Sequence, residues 1–193
     1  MRRLIVAVSA ALVLLAGSSP ARAAKYYVVV RGVDEAQGVS SGIKEDALGL
    51  FTAELKKHPE LTLEPPPGLP SEPEALRAAL TQKKLKAIEL TLRILKVSSA
   101  VNPPAPGKKF RVLQRGIKLA VFGDTLPDKV LALGGDGDAT VGVEIDANAD
   151  IEKEGKPALL DATKEAMRQA VEMTVTKLKM GDKVPKLKKP KRK

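Results

Sequence analysis

The segment from Lys86 to Leu95, KAIELTLRIL, decides the fold. Its large aliphatic residues Ile88, Leu90, Leu92 and Ile94 alternate with more polar ones. Since successive side chains of a strand point to opposite faces of a sheet, this period of two predicts a strand with one buried face. We therefore expect a sheet that includes this strand.

The patterns on both sides of this segment predict the remaining elements. Before it we expect a strand, a helix, a short strand and a second helix, at residues 25–33, 43–57, 61–64 and 71–84. After it we expect three strands and a long helix, at residues 110–122, 130–133, 140–145 and 158–180. The Gly-rich stretch GGDGD at 134–138 is typical of a turn between two strands. The order predicts one α/β (α+β) domain whose mixed sheet contains an antiparallel meander with helices packed on it.

Residues 1–23 have the composition of a secretory signal peptide. Arg2 and Arg3 precede an apolar run at 4–16, and Ala21-Arg22-Ala23 forms an A-x-A cleavage site. The run is shorter than the about 20 residues that span a bilayer. We expect a periplasmic or secreted protein without a transmembrane span after cleavage, whose globular domain occupies residues 24–181. The alternative is a retained N-terminal anchor.

The positive charge is concentrated at one end of the chain. The formal net charge is +10, yet the residues between the signal peptide and position 182 are almost neutral. Residues 182–193 predict a disordered basic tail, because charge is dense there and apolar residues are few. Such a tail attracts polyanions, and its candidate binding residues are Lys183, Lys186, Lys188, Lys189, Lys191, Arg192 and Lys193. The alternative is a terminus that only improves solubility.

The order of the elements resembles a known domain. The stretches KAIELTLRIL, FRVLQRGIKLAVFGD and ATVGVEI, followed by the Ala-rich ALLDATKEAMRQAVEMTVTKL, are similar to the periplasmic α/β domain of the curli-secretion-channel family and of penicillin-binding-protein activator lipoproteins. The resemblance implies a non-enzymatic role in the envelope through protein–protein contact. The chain contains no Cys, so it departs from the lipid-anchored pattern of those families.

Nucleophilic and metal chemistry have few candidate residues. His58 is the single histidine, and Ser40 and Ser41 are the nearest serines on the loop before the first helix. Asp136 and Asp138 supply two oxygen ligands that suit Ca²⁺, although turn chemistry also explains Asp-Gly pairs. Whether these two carboxylates bind an ion stays open, and we assign no catalytic residue, metal site or cofactor.

Acid–base chemistry by carboxylates alone is the remaining enzymatic possibility. The pairs Glu72/Glu74 and Glu152/Glu154 lie in polar segments, where solvated surface charge is the simpler interpretation. Met167, Met173 and Met180 recur at helical spacing in the last helix, which favours a place in the core over an adaptable partner surface.

The sequence therefore predicts an exported, non-enzymatic protein of the bacterial cell envelope. It would contact an envelope protein that the sequence does not identify, and its tail would bind an anionic lipid or polymer; nucleic acid is an unfavoured partner because aromatic residues make up only 3% of the chain. Two alternatives stay open, namely a polyanion-binding module that acts through the tail and a carboxylate-dependent hydrolase.

Overall fold

The structure is a computed structural model that describes residues 25–104, 106–107 and 109–181. Five strands and three helices follow one another as β1 (Tyr26–Glu35), α1 (Lys44–Leu55), β2 (Leu61–Thr62), α2 (Pro73–Gln82), β3 (Lys86–Asn102), β4 (Phe110–Leu126), β5 (Leu131–Asp146) and α3 (Ile151–Gly181). The expected signal peptide and basic tail lie outside the described residues.

The strands form one mixed sheet in the order β2-β1-β3-β4-β5. β1 pairs in parallel with β2 and β3, whereas β3, β4 and β5 form an antiparallel meander. The predicted α/β class, with helices packed on a mixed sheet, is confirmed.

The alternating segment of β3 forms the centre of the core. Leu90, Leu92 and Ile94 are fully buried, and Ile88 is nearly so. α1 and α3 contribute to the same hydrophobic cluster, α1 chiefly through Phe51. Burial of one strand face against helices is the arrangement that the period of two in KAIELTLRIL predicts.

The predicted turn at GGDGD is wrong. β5 runs without interruption from Leu131 to Asp146, and residues 134–138 pair with β4 throughout. The fold consequently has one strand fewer than we expected from the sequence.

Two of these glycines serve helix packing instead of a turn. A Cβ atom built on Gly137 would lie 1.9 Å from the carbonyl oxygen of Ala166, and one built on Gly135 would lie 2.3 Å from that of Ala170. Both distances are far below any ordinary carbon–oxygen contact, so only glycine lets the α3 backbone approach β5 this closely.

α3 also closes part of the outer edge of β5. The backbone N–H of Asp138 donates to Gln169 Oε1 at 3.3 Å, and Lys177 Nζ donates to the carbonyl oxygen of Gly134. β5 is an edge strand of the sheet, and these two side chains occupy backbone groups that β4 does not use.

α3 begins seven residues before the predicted start at Ala158. Asp150 caps it, because its Oδ1 accepts hydrogen bonds from the N–H groups of Glu152 at 2.9 Å and Lys153 at 3.2 Å. Pro157 therefore lies inside the helix, where the sequence predicted a loop. Over the described ranges, none of the helices combines the length and the apolar character needed to cross a membrane.

Candidate functional site at the end of the sheet

An open pocket lies where α2, the start of β3, the β4–β5 turn and the end of α3 meet. Its volume is about 370 Å³, which falls within the range typical of ligand pockets. The lining is mostly aliphatic and comes from β1, α2, β3, β4, β5 and α3 and from two loops, with Leu80, Leu85, Ile88, Leu126, Leu133 and Leu178 as its large side chains. The geometry suits an apolar group of moderate size.

Tyr26 fixes the floor of this pocket. Its ring is buried, and its Oη donates a hydrogen bond to the carbonyl oxygen of Leu178 at 3.1 Å. The ammonium group of Lys86 lies 5.9 Å from the centre of the ring, at the distance of a cation–π contact. The start of β1 and the last turns of α3 are thus held together beneath the pocket.

The rim of the pocket carries charge. Arg77 of α2 forms an ion pair with Asp128 of the β4–β5 turn, so these two opposite charges offset each other. Lys86 and Lys177 also line the pocket. Basic side chains therefore outnumber acidic ones among the residues that line the pocket.

Two large aliphatic side chains are exposed next to the pocket. Val130 is 60% exposed and Leu131 is 64% exposed, and both lie at the β4–β5 junction that carries Asp128. Adjacent exposed aliphatic residues beside an apolar cavity are typical of contact sites. We call the pocket together with Val130 and Leu131 the pocket end.

An ion pair ties α3 to the start of β2 at the same end of the sheet. Lys179 Nζ lies 2.5 Å from Glu60 Oε1, and the Glu60 side chain is only 14% exposed. Burial alone would raise the pKa of Glu60, but the hydrogen bond from Lys179 and that residue's positive charge outweigh it, so the pKa is lowered below its usual value.

This ion pair predicts acid sensitivity. A carboxyl group whose pKa is lower in the folded state stabilises the fold above its unfolded pKa of 4.5, and that contribution is lost as the pH falls through the lower folded value. We expect Glu60→Gln to lose about 0.5–1.5 kcal/mol of unfolding free energy at pH 7 and to decline less steeply than wild type below pH about 4.5.

Urea unfolding at several pH values measures this effect. Glu64→Gln, at an exposed acid on the same segment, is the matched control and should follow the wild-type pH dependence. Equal pH slopes for wild type and Glu60→Gln would contradict the assignment.

The sequence-predicted binding residues are not among those of the pocket end. The seven Lys and Arg residues of the tail lie outside the described residues, and their role stays a prediction. They follow α3, whose end contributes Lys177 and Leu178 to the pocket.

Asp136 and Asp138 lie on β5 and not in the predicted loop. Both are exposed, and their register partners on β4 are Ala120 and Lys118. Within residues 25–181, apart from Ala105 and Lys108, no group of three or more His, Asp or Glu side chains is placed to hold a metal ion. In that part of the chain, no third His, Asp or Glu side chain is placed to bind an ion together with these two carboxylates.

The structure separates His58 from the serines considered with it. Ser41 precedes α1 and His58 follows it, and a helix of 12 residues is about 18 Å long. The hydroxyl of Ser41 donates to Glu35 Oε1 at 2.5 Å and its N–H donates to the same oxygen at 2.8 Å, which lowers the pKa of Glu35.

The two carboxylate pairs lie at the starts of different helices. Glu74 lies in the first turn of α2, and Glu152 and Glu154 lie in that of α3, where negative charge favours the helix dipole. Glu152 Oε1 also lies 2.9 Å from Arg115 Nη2. Helix stabilisation accounts for these residues, and the hydrolase hypothesis stays a prediction.

The methionines of α3 do not share one environment. Met167 is buried in the core as predicted, but Met173 is 37% exposed and Met180 is 60% exposed. The prediction of a core position is wrong for those two, because α3 turns that side of its last turns away from the sheet.

Sequence reasoning missed the pocket end as a site. Its residues come from segments that are far apart in the chain, and in the sequence each of them is typical of an ordinary helix, strand or turn. The only local signal was the pair Val130-Leu131 directly after Pro127-Asp128-Lys129, two aliphatic residues at the end of a polar turn.

No protein-family model and no curated protein matches the chain. Among solved structures, it is similar to a protein described as a neuraminyllactose-binding hemagglutinin homolog from Helicobacter pylori, with 7% identity, coverage of 88% of this chain and 96% of that one, and a TM-score of 0.46. It is also similar to a Xanthomonas campestris protein, with 9% identity, coverage of 83% and 91%, and a TM-score of 0.45.

A third similar structure is a minor lipoprotein from Acinetobacter baumannii, with 9% identity, coverage of 85% of this chain and 96% of that one, and a TM-score of 0.36. A bacterial lipoprotein is therefore among the similar structures, but these three are neither curli secretion channels nor penicillin-binding-protein activators. At TM-scores below 0.5, none of these likenesses assigns the chain to a family or indicates what it binds.

Proposed function

We propose that this chain is an exported, non-enzymatic protein of the bacterial cell envelope that contacts a protein partner through its pocket end. Its basic tail would attach it to an anionic envelope surface. The observation that carries the proposal is the open aliphatic pocket with Val130 and Leu131 exposed beside it. The secretory character of residues 1–23 supports the envelope location.

The chemistry of the pocket end indicates what the partner presents. Its aliphatic lining favours an apolar side chain, and the excess of basic over acidic lining residues favours carboxylates around that side chain. We expect an acidic surface with one or two protruding aliphatic or aromatic residues. The narrower resemblance to the curli-secretion-channel family and the penicillin-binding-protein activators remains part of this proposal.

A substitution in the pocket end tests the proposal. Leu131→Glu places a carboxylate at the rim without changing a buried residue, and we expect it to weaken binding to isolated bacterial envelopes by about tenfold or more. Leu48→Glu, on the exposed side of α1, is the matched control and should bind like wild type. Co-sedimentation of the mature protein with envelopes provides the measurement.

High salt and truncation show how much of the binding to envelopes comes from the tail. A chain ending at Gly181 should lose the part of binding that high salt also removes, because that part is electrostatic. Binding that disappears on truncation and is unaffected by Leu131→Glu would favour the polyanion-binding module instead. Equal binding by wild type, Leu131→Glu and the truncated chain would overturn the proposal.

A further inference from the structure

β3 has an unpaired edge at the end of the strand that lies away from the pocket end. β1 accompanies β3 only as far as Ile94, which is in register with Glu35, whereas β4 accompanies it up to Asn102. In the described part of the chain, no backbone hydrogen bond joins the other side of residues 96–102 to another segment. All of these residues except Val97 are exposed. We call residues 96–102, KVSSAVN, the free edge.

The register shows which backbone groups of the free edge point outward. The carbonyl oxygen of Ile94 accepts a hydrogen bond from the N–H of Ala36 on the β1 side, so Ile94 points away from its β4 partner Leu119. Along a strand, the backbone groups alternate between its two sides with a period of two. Every second residue of β4 continues this set, and the partners of those residues on the free edge are Val97, Ser99 and Val101. These three residues therefore present their N–H and C=O groups to the unpaired side.

The loop between β1 and α1 leaves room beside the free edge. After Ala36 it turns to the helix side of the sheet, where Val39 packs against the core cluster. An open slot of about 300 Å³ lies between residues 38–40 and residues 96–99. A further strand thus has access to the outward backbone groups.

We propose that the free edge pairs with the free edge of a second copy of this chain, antiparallel and about a two-fold axis at Ser99. This register places the two Ser99 residues opposite each other and Val97 of one copy opposite Val101 of the other. Each of these three opposed pairs exchanges two N–H···O=C bonds, which gives six bonds in all. A shift by one residue would oppose outward groups to inward ones, and a shift by two would keep only two of the three pairs.

The side chains of the free edge also suit a second copy. Ser98, Ser99 and Ala100 at the centre are small and uncharged, whereas edge strands that avoid self-pairing commonly carry a charge there. Lys96 is the single charged residue of the free edge, and it would stand opposite Asn102 of the other copy. The two Lys96 residues would then lie about 20 Å apart along the strands, so like charges do not meet.

The contact is small, so the dimer should be weak. Seven residues from each copy are fewer than the about 20–30 that a standard interface contributes on each side. We expect a dissociation constant of about 10–100 µM. The pocket end lies at the start of β3 and stays open in both copies. The inference therefore does not rest on the proposed function, and Leu131→Glu should dimerise like wild type.

Disulfide formation at introduced cysteines tests the register directly. The chain has no cysteine of its own, so Ser99→Cys can form a disulfide only between two copies. Opposed residues of a hydrogen-bonded antiparallel pair have Cα atoms about 5.5 Å apart, a distance that suits a disulfide. In Ala100→Cys, the matched control on the same edge, the two cysteines would be displaced along the strands, with Cα atoms about 8 Å apart.

We expect the mature Ser99→Cys protein, at about 50 µM with a mild oxidant, to form the covalent dimer at least about tenfold faster than Ala100→Cys. Non-reducing electrophoresis over time gives both rates. Equal rates at the two positions would overturn the proposal.

Sedimentation velocity over a range of concentrations provides the second measurement. Ser99→Pro removes an outward N–H that β4 does not use, so we expect it to keep its fold and to raise the dissociation constant of the dimer about tenfold or more. Ser99→Ala retains the N–H and is the matched control, which should dimerise like wild type. A wild-type chain that stays monomeric up to about 500 µM, or a Ser99→Pro chain that dimerises like wild type, contradicts self-pairing. The first of these results would leave the free edge to a strand of another protein.

Discussion

Gly137→Ala is expected to destabilise the protein by about 3 kcal/mol or more, although it adds a single methyl group. The new Cβ would lie 1.9 Å from the Ala166 carbonyl oxygen and 2.8 Å from the carbonyl carbon. Both atoms belong to the backbone of α3, so no side-chain rotation relieves the clash. The helix has to move away from β5 and give up packing along its length.

Gly142→Ala is the matched control for this prediction. It lies on the same strand, and its Cβ would meet Val112 Cγ1 at an ordinary contact distance of 3.6 Å. We expect a change within about 0.5 kcal/mol. Chemical unfolding of both variants provides the comparison, and similar midpoints would show that α3 does not approach β5 as closely as described.

Phe51→Ala is expected to cost about 3–5 kcal/mol of unfolding free energy. Phe51 is fully buried on α1 and belongs to the cluster that also contains the central residues of β3 and the inner side of α3. Removing its ring leaves a cavity that backbone elements on three sides cannot fill. The loss is a large fraction of the about 5–15 kcal/mol that stabilises a typical domain.

Leu48→Ala on the same helix is the matched control, which distinguishes the loss of a buried side chain from a change in helix propensity. Leu48 is 40% exposed, and both substitutions introduce the residue most favourable to a helix. We expect its cost to stay below about 1 kcal/mol. If the two variants unfold at the same denaturant concentration, α1 does not pack on the sheet through Phe51.

The sequence was informative wherever a local pattern determined the structure. The alternation in KAIELTLRIL predicted a buried strand because one face of β3 does lie against α1 and α3. The sequence was misleading at GGDGD because glycine is favoured both in turns and in strands that a helix approaches closely. The distinguishing signal was present: Gly135 and Gly137 alternate as residues on one strand face do, and Ala166 and Ala170 form a small-residue stripe on α3.

The candidate site was less predictable than the fold. Tyr26, Leu80, Leu133 and Leu178 are ordinary core-type residues in the sequence, and they form a pocket only because parallel pairing brings the starts of β1 and β3 beside the end of α3. Nor does periodicity alone show that Met173 and Met180 face outward, because Val171, Val175 and Leu178 already fill the buried side of the same turns of α3.

The hydrogen bonds from Gln169 and Lys177 to β5 bear on how the protein behaves at high concentration. An edge strand with unoccupied backbone groups is a template on which another molecule can add a strand, and repeated addition leads to aggregates. At Gly134 and Asp138 that template is already in use, because α3 supplies the bonds that an incoming strand would make. The helix that completes the core thus also protects this stretch of the sheet from intermolecular pairing.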